Sequence, residues 1–149
     1  MLEAYIDGGC EPNPGGTCSW GFLVQKIGSL PDVTQWEGYG VVGSGPKMSN
    51  NVGEYSALLE FLRWFDKQPT EDVIVYSDSQ LLINQINGLW KVNSDKLFYP
   101  VYSQVQILRI QNLAIWKDKI KFRWIPREQN LADSLTVKAL KEVGIFRRN

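Results

Sequence analysis

The sequence has no histidine among its 149 residues, and that absence excludes more chemistry than any other. Without imidazole there is no Ser-His-Asp or Cys-His nucleophile and no His-ligated zinc. Cysteine is scarce as well. Cys10 and Cys18 are the whole complement, too few for a disulfide framework or a thiolate zinc site, and they are expected to be reduced. Long hydrophobic runs are missing too. No apolar stretch approaches the ~18 residues of a membrane span. The opening MLEAYIDGG lacks the basic start and apolar run of a signal peptide. These absences argue against a membrane partner and point to the cytoplasm. What remains is a composition of 44% hydrophobic and 21% charged residues, enough for one domain over residues 1–149 with a core of its own.

Net charge is also absent, but the zero is a cancellation. Residues 1–78 hold four basic side chains (Lys26, Lys47, Arg63, Lys67) against eleven acidic ones, a balance of −7. Residues 79–149 carry twelve basic and five acidic, a balance of +7. Within 117–127, Lys117, Lys119, Lys121, Arg123 and Arg127 face Asp118 alone. Two solvated halves would explain this. So would a cation site in the acidic half beside a polyanion-binding face in the basic half.

The hydropathy pattern predicts strands at 2–7, 18–27 and 34–42, the first broken by Gly8-Gly9 and followed by the Pro12–Gly16 loop. Apolar residues at helical steps predict a helix over 50–66. A doubly covered strand at 73–76 follows, then helices at 79–87 and 95–112, a strand at 119–125 and a last helix from about 130 to 143. Strand-helix-strand crossovers favour parallel pairing of strands one, four and five. The fold class is therefore α/β, with one mixed five-stranded sheet (three antiparallel strands, then parallel ones) and helices on both faces. Trp20, Trp36, Trp64, Trp116 and Trp124 are expected in the core.

Four carboxylates sit awkwardly in that layout. Asp7 and Asp78 end apolar strands, where parallel α/β sheets carry their sites. Glu54 shares a helical face with Ala57, Leu58, Phe61 and Phe65, and so points toward the sheet. Asp133 lies in the first turn of the last helix. Turn and capping roles would account for each one alone. Converging together they would repel and raise one another's pKa, and a divalent cation removes that penalty. Oxygen ligands without His or Cys suit Mg2+ or Mn2+.

Four blocks carry a further signal: YIDGGCEPNPGG (5–16), SNNVGEYSALLEFL (49–62), YSDSQLLINQINGLWKV (76–92) and WIPREQNLADSLT (124–136). In this order the sequence resembles type 1 ribonuclease H, in the compact archaeal-like and bacterial form without a basic protrusion. The resemblance implies a ribonuclease H-like fold and a metal-dependent endonuclease. It would cut the RNA strand of RNA–DNA hybrids with two Mg2+ ions (Mn2+ as substitute), acting as a monomer. Asp7, Glu54, Asp78 and Asp133 would be catalytic metal ligands. Gly9, Cys10, Asn50 and Gln80 would contact the RNA, and Asn51 would lie closer to the DNA. Alternatives left open are a nuclease of this fold acting on double-stranded RNA or branched DNA, and a catalytically impaired hybrid-binding module.

Three departures mark the sequence off from that family. The last block has one residue fewer between Asn130 and Asp133, a difference worth about 100° on a helix, so either Asp133 or Asn130 completes the ligand set. Arg127-Glu128 stand where many relatives have a histidine. The segment 88–93 is too short for a protrusion, which leaves Trp90 and Lys91 for stacking and phosphate contact.

Overall fold

The computed structural model describes residues 1–27, 36–68, 71–88, 101, 104–105 and 118–146. Most of the expected 95–112 helix, with Trp90, Lys91, Trp116 and Lys117, lies outside these residues. The elements are β1 (Leu2–Glu11), β2 (Thr17–Lys26), β3 (Trp36–Ser44), α1 (Asn50–Asp66), β4 (Val73–Ser77), α2 (Gln80–Ile86), β5 (Ile120–Trp124) and α3 (Asp133–Glu142), with a short 3-10 turn at Arg127–Gln129. They build one five-stranded sheet in the order β3-β2-β1-β4-β5. The pairs β1–β2 and β2–β3 are antiparallel; β1–β4 and β4–β5 are parallel. The expected mixed sheet is the observed one.

Alternation along β1 explains the layers. Leu2, Ala4 and Ile6 are buried on one face, where a Cβ on Gly8 would meet the α1 backbone at Gly53. A Cβ on Gly9 would instead meet Thr136 of α3. Successive residues of a strand point to opposite faces, so α1 and α3 cover opposite sides of the sheet. The main core lies on the α1 side. Ala57, Leu58, Phe61 and Leu62 of α1 are fully buried there, with Val73 and Val75 of β4. Each large aliphatic or aromatic side chain so buried contributes about 1.5–3 kcal/mol.

Two expectations are corrected. β1 does not end at Asp7. It runs on through Gly8 and Gly9 to Glu11, paired rung by rung with β2. The glycines permit close approach rather than breaking the strand. The tryptophans are also not uniformly internal. Trp36 is 38% exposed against Trp64, and Trp124 is 45% exposed.

Candidate metal centre

β1 and β4 run parallel only as far as Tyr5 opposite Tyr76. β4 stops at Ser77, while β1 continues alongside β2. Asp7 therefore lies just past the last parallel rung, within β1 and opposite Gly21 of β2. Asp78 follows the end of β4. Ser79, whose Oγ accepts the Leu82 N–H at 3.1 Å, caps α2, so the cap does not require Asp78.

Glu54 arrives from α1. A Cβ on Gly8 would lie 2.0 Å from the Gly53 carbonyl carbon, and one on Gly53 would lie 2.8 Å from the Ser19 oxygen. Only two residues without side chains allow strand and helix to touch here. This contact delivers the next residue, Glu54, to the sheet.

The outcome is a group of three carboxylates. One oxygen each from Asp7, Glu54 and Asp78 lies within 4.8 Å of the others. Asp7 and Glu54 are buried and Asp78 is half-buried. Burial pushes the Glu54 carboxyl well above the ordinary glutamate range, and the charges of Asp7 and then Asp78 push it further. The counterweight is the backbone N–H of Gly8. Glu54 Oε2 is buried without a hydrogen-bond partner among the described residues. A buried anionic oxygen is costly unless something positive meets it. An oxygen-only donor set with such an atom fits a hard divalent cation.

Asp133 and Asn130 are placed differently. Asp133 is not a member of the three-carboxylate group. It is the first residue of α3, with Oδ1 3.8 Å from Arg127 Nη2. Asn130 is buried in the connection before α3. Its Nδ2 donates to the Ile6 carbonyl at 2.9 Å, and its Oδ1 accepts the Ala132 N–H at 3.1 Å. The amide thus ties β1 to the start of α3, and its oxygen is already engaged by backbone. The helix expected from about 130 begins at Asp133 instead, because Arg127–Gln129 close into a 3-10 turn first.

Of the other expected contacts, Gly9 and Cys10 are buried in β1, while Asn50, Asn51 and Gln80 are exposed in the first turns of α1 and α2. Asn50 and Asn51 are not the cap of α1. The N-cap position is Ser49, and the Asn50 N–H donates to Asn13 Oδ1, in the loop between β1 and β2, at 3.0 Å. Cys10 and Cys18 face each other across β1–β2 as free, buried thiols. Of the basic run, Lys121, Arg123 and Arg127 are exposed, and Lys119 lies 3.4 Å from Asp72.

Sequence reasoning missed Gly53 and Trp124. Trp124 Nε1 donates to the Asp78 carbonyl at 3.0 Å. Its position as the last residue of β5, beyond the reach of the packed layer, was the available signal.

The comparisons agree with this geometry. A family described as "Reverse transcriptase-like" matches residues 35–139. A ribonuclease H of Chlorobium chlorochromatii is 32% identical over 121 residues, covering 81% of this chain and 73% of its own. A bifunctional protein of Mycobacterium tuberculosis is 31% identical over 141 residues; these are 94% of this chain and only 35% of the mycobacterial protein's length. Among solved structures, LC11-RNase H1 in complex with an RNA/DNA hybrid is similar with a TM-score of 0.77 at 28% identity. That match covers 96% of this chain and 99% of the other.

Proposed function

The chain belongs to the ribonuclease H family, and from that premise we propose that it is a metal-dependent endonuclease hydrolysing the RNA strand of RNA–DNA hybrids. The products would carry 3′-hydroxyl and 5′-phosphate ends. The observation that carries the reading is the convergence of Asp7, Glu54 and Asp78 with a buried, unsatisfied Glu54 oxygen. Two Mg2+ ions, or Mn2+ in their place, would supply an activated water and stabilisation of the departing 3′-oxygen.

The residues divide the work. Asp7, Glu54 and Asp78 would hold the cations. Asp133 would be the fourth carboxylate ligand, although its Oδ1 lies 3.8 Å from Arg127 Nη2. Asn130 is the substitute should Asp133 not turn inward. Asn50 and Gln80, exposed beside the group, offer amides that both donate and accept to ribose 2′-hydroxyls, with backbone at Gly9 and Cys10 behind them. Asn51 lies toward the DNA strand, and Trp90 and Lys91 serve stacking and phosphate contact. Lys121, Arg123 and Arg127 supply exposed positive charge for phosphates. With no histidine in the chain, protons leave through water and carboxylates. The reading includes a single domain over 1–149 that acts as a monomer in the cytoplasm.

The test is cleavage of a labelled hybrid, an RNA duplex and a DNA duplex, each with Mg2+, Mn2+ or chelator. Cutting confined to the hybrid's RNA strand and abolished by chelator is expected. Cleavage that persists in chelator overturns the metal mechanism. Equal cutting of the RNA duplex overturns the substrate assignment.

A further inference from the structure

Asp7 and Glu54 are held by regular structure, the one inside β1 and the other inside α1. Asp78 is not. It stands between the last residue of β4 and the N-cap of α2, in a connection that the ladder no longer fixes. The ladder's final rung is the Ile125 N–H on the Ser77 carbonyl at 2.9 Å. On the N–H side the turn is tied by serines: Ser77 Oγ accepts the Ser79 N–H at 3.0 Å, and Ser79 Oγ accepts the Leu82 N–H at 3.1 Å. On the carbonyl side the tie is Trp124, whose indole N–H reaches the Asp78 oxygen at 3.0 Å. A side chain thus adds one more rung where the backbone has run out.

Burial does not explain this residue, since Trp124 is 45% exposed. The covered part of the ring still packs, but packing does not direct its one polar atom, which meets the Asp78 carbonyl. We propose that Trp124 is a positioning residue for Asp78. Its indole N–H sets the peptide plane after Asp78 and so aims the Asp78 carboxylate at Asp7 and Glu54.

This inference rests on the cation reading above, and the test separates the two. Mn2+ binding to the full chain is measured by titration calorimetry for wild type, Trp124→Phe, Trp124→Tyr and Asp78→Asn. Amide exchange at Asp78 and Ser79 is followed in the same proteins. Both Trp124 variants keep an aromatic ring but lack an N–H at that place. They are expected to melt cooperatively, to exchange faster at Asp78 and Ser79, and to bind Mn2+ about three- to tenfold more weakly, the scale of one lost hydrogen bond. The Mn2+ concentration for half-maximal hybrid cleavage rises in step, with kcat recovered at saturating Mn2+. If Asp78→Asn weakens Mn2+ binding and the Trp124 variants do not, the positioning role is wrong. A rise confined to KM for the hybrid likewise overturns it, because the ring is then a nucleic-acid contact. If Asp78→Asn also binds Mn2+ as wild type does, the cation reading falls and the positioning role with it.

Discussion

The three-carboxylate group and the segment leading into α3 are neighbours in space but are built on different principles. In the first, two of the three carboxylates are delivered by regular main-chain structure. Gly8 lies against Gly53, and Asp7 and Glu54 follow without freedom to withdraw. In the second, a 3-10 turn and a buried asparagine set the path, and Asp133 emerges half-exposed beside Arg127. Charge repulsion is locked into one region and neutralised in the other. A tightly packed scaffold can hold like charges together against their mutual repulsion; a surface segment lets its carboxylate find a partner.

The largest expected effect separates these regions directly. Glu54→Gln should reduce hybrid cleavage on the order of a thousandfold, yet raise stability in chelator by about 1–2 kcal/mol, because it removes a buried, repelled charge. Asp133→Asn should cost less activity, show mainly as a higher Mg2+ requirement, and leave the chelated melt unchanged. Equal losses of kcat in both variants at saturating Mg2+ would erase the distinction.

Next comes Gly8→Ala. Its methyl group would sit on the Gly53–Glu54 backbone, so about 3 kcal/mol or more of stability should be lost, read by urea denaturation. A wild-type midpoint would show that the strand–helix contact does not set the spacing. Asn130→Ala should cost about 2 kcal/mol, since two buried backbone groups lose their partner. Cleavage at a temperature where the variant stays folded should persist. Abolished cleavage in a fully folded Asn130→Ala would instead make the amide a ligand.

The pH dependence is gentler. The folded-state pKa of Glu54 lies above its unfolded value, so its contribution to stability is complete below the unfolded pKa and is lost as pH rises through the folded pKa. In chelator, the melting temperature should therefore fall between the ordinary glutamate range and that raised pKa, and Glu54→Gln should flatten the slope. An unchanged slope in the variant would assign the titration elsewhere. The smallest effect is expected for Glu128→Gln, on the exposed 3-10 turn, with kcat altered only modestly. A collapse to the level of Glu54→Gln would make Glu128 a participant.

The same contrast explains what could be read from the sequence. Glu54 and Asp78 were legible because a helical face and a strand end are local patterns; Asp7 stood out as an acid in an apolar alternation, although the strand runs on past it. The parallel pairing among strands one, four and five followed from crossover rules; the order β3-β2-β1-β4-β5 is the structure's. The continuation of β1 was not legible. Gly8 and Gly9 look like a break until β2 is laid beside them, and that pairing is non-local. Trp124 was misplaced because Ile120, Phe122 and Trp124 alternate correctly, while the layer that buries Ile120 does not reach as far as Trp124. The position of Asp133 depended on a 3-10 turn that a one-residue shortening only hints at.

Gly53 and Glu54 are adjacent, so contact and carboxylate share one helical phase. The spacing from the first residue of α1, Asn50, to Gly53 sets where that phase falls along the helix. One residue added between Asn50 and Gly53 would turn the rest of α1 by about 100°, replacing the glycine at the strand with a side chain and swinging the carboxylate away. Point substitutions at the exposed Asn50 and Asn51 should therefore be tolerated by the fold far better than insertions or deletions between Asn50 and Gly53. The spacing within this turn, more than its composition, places the carboxylate.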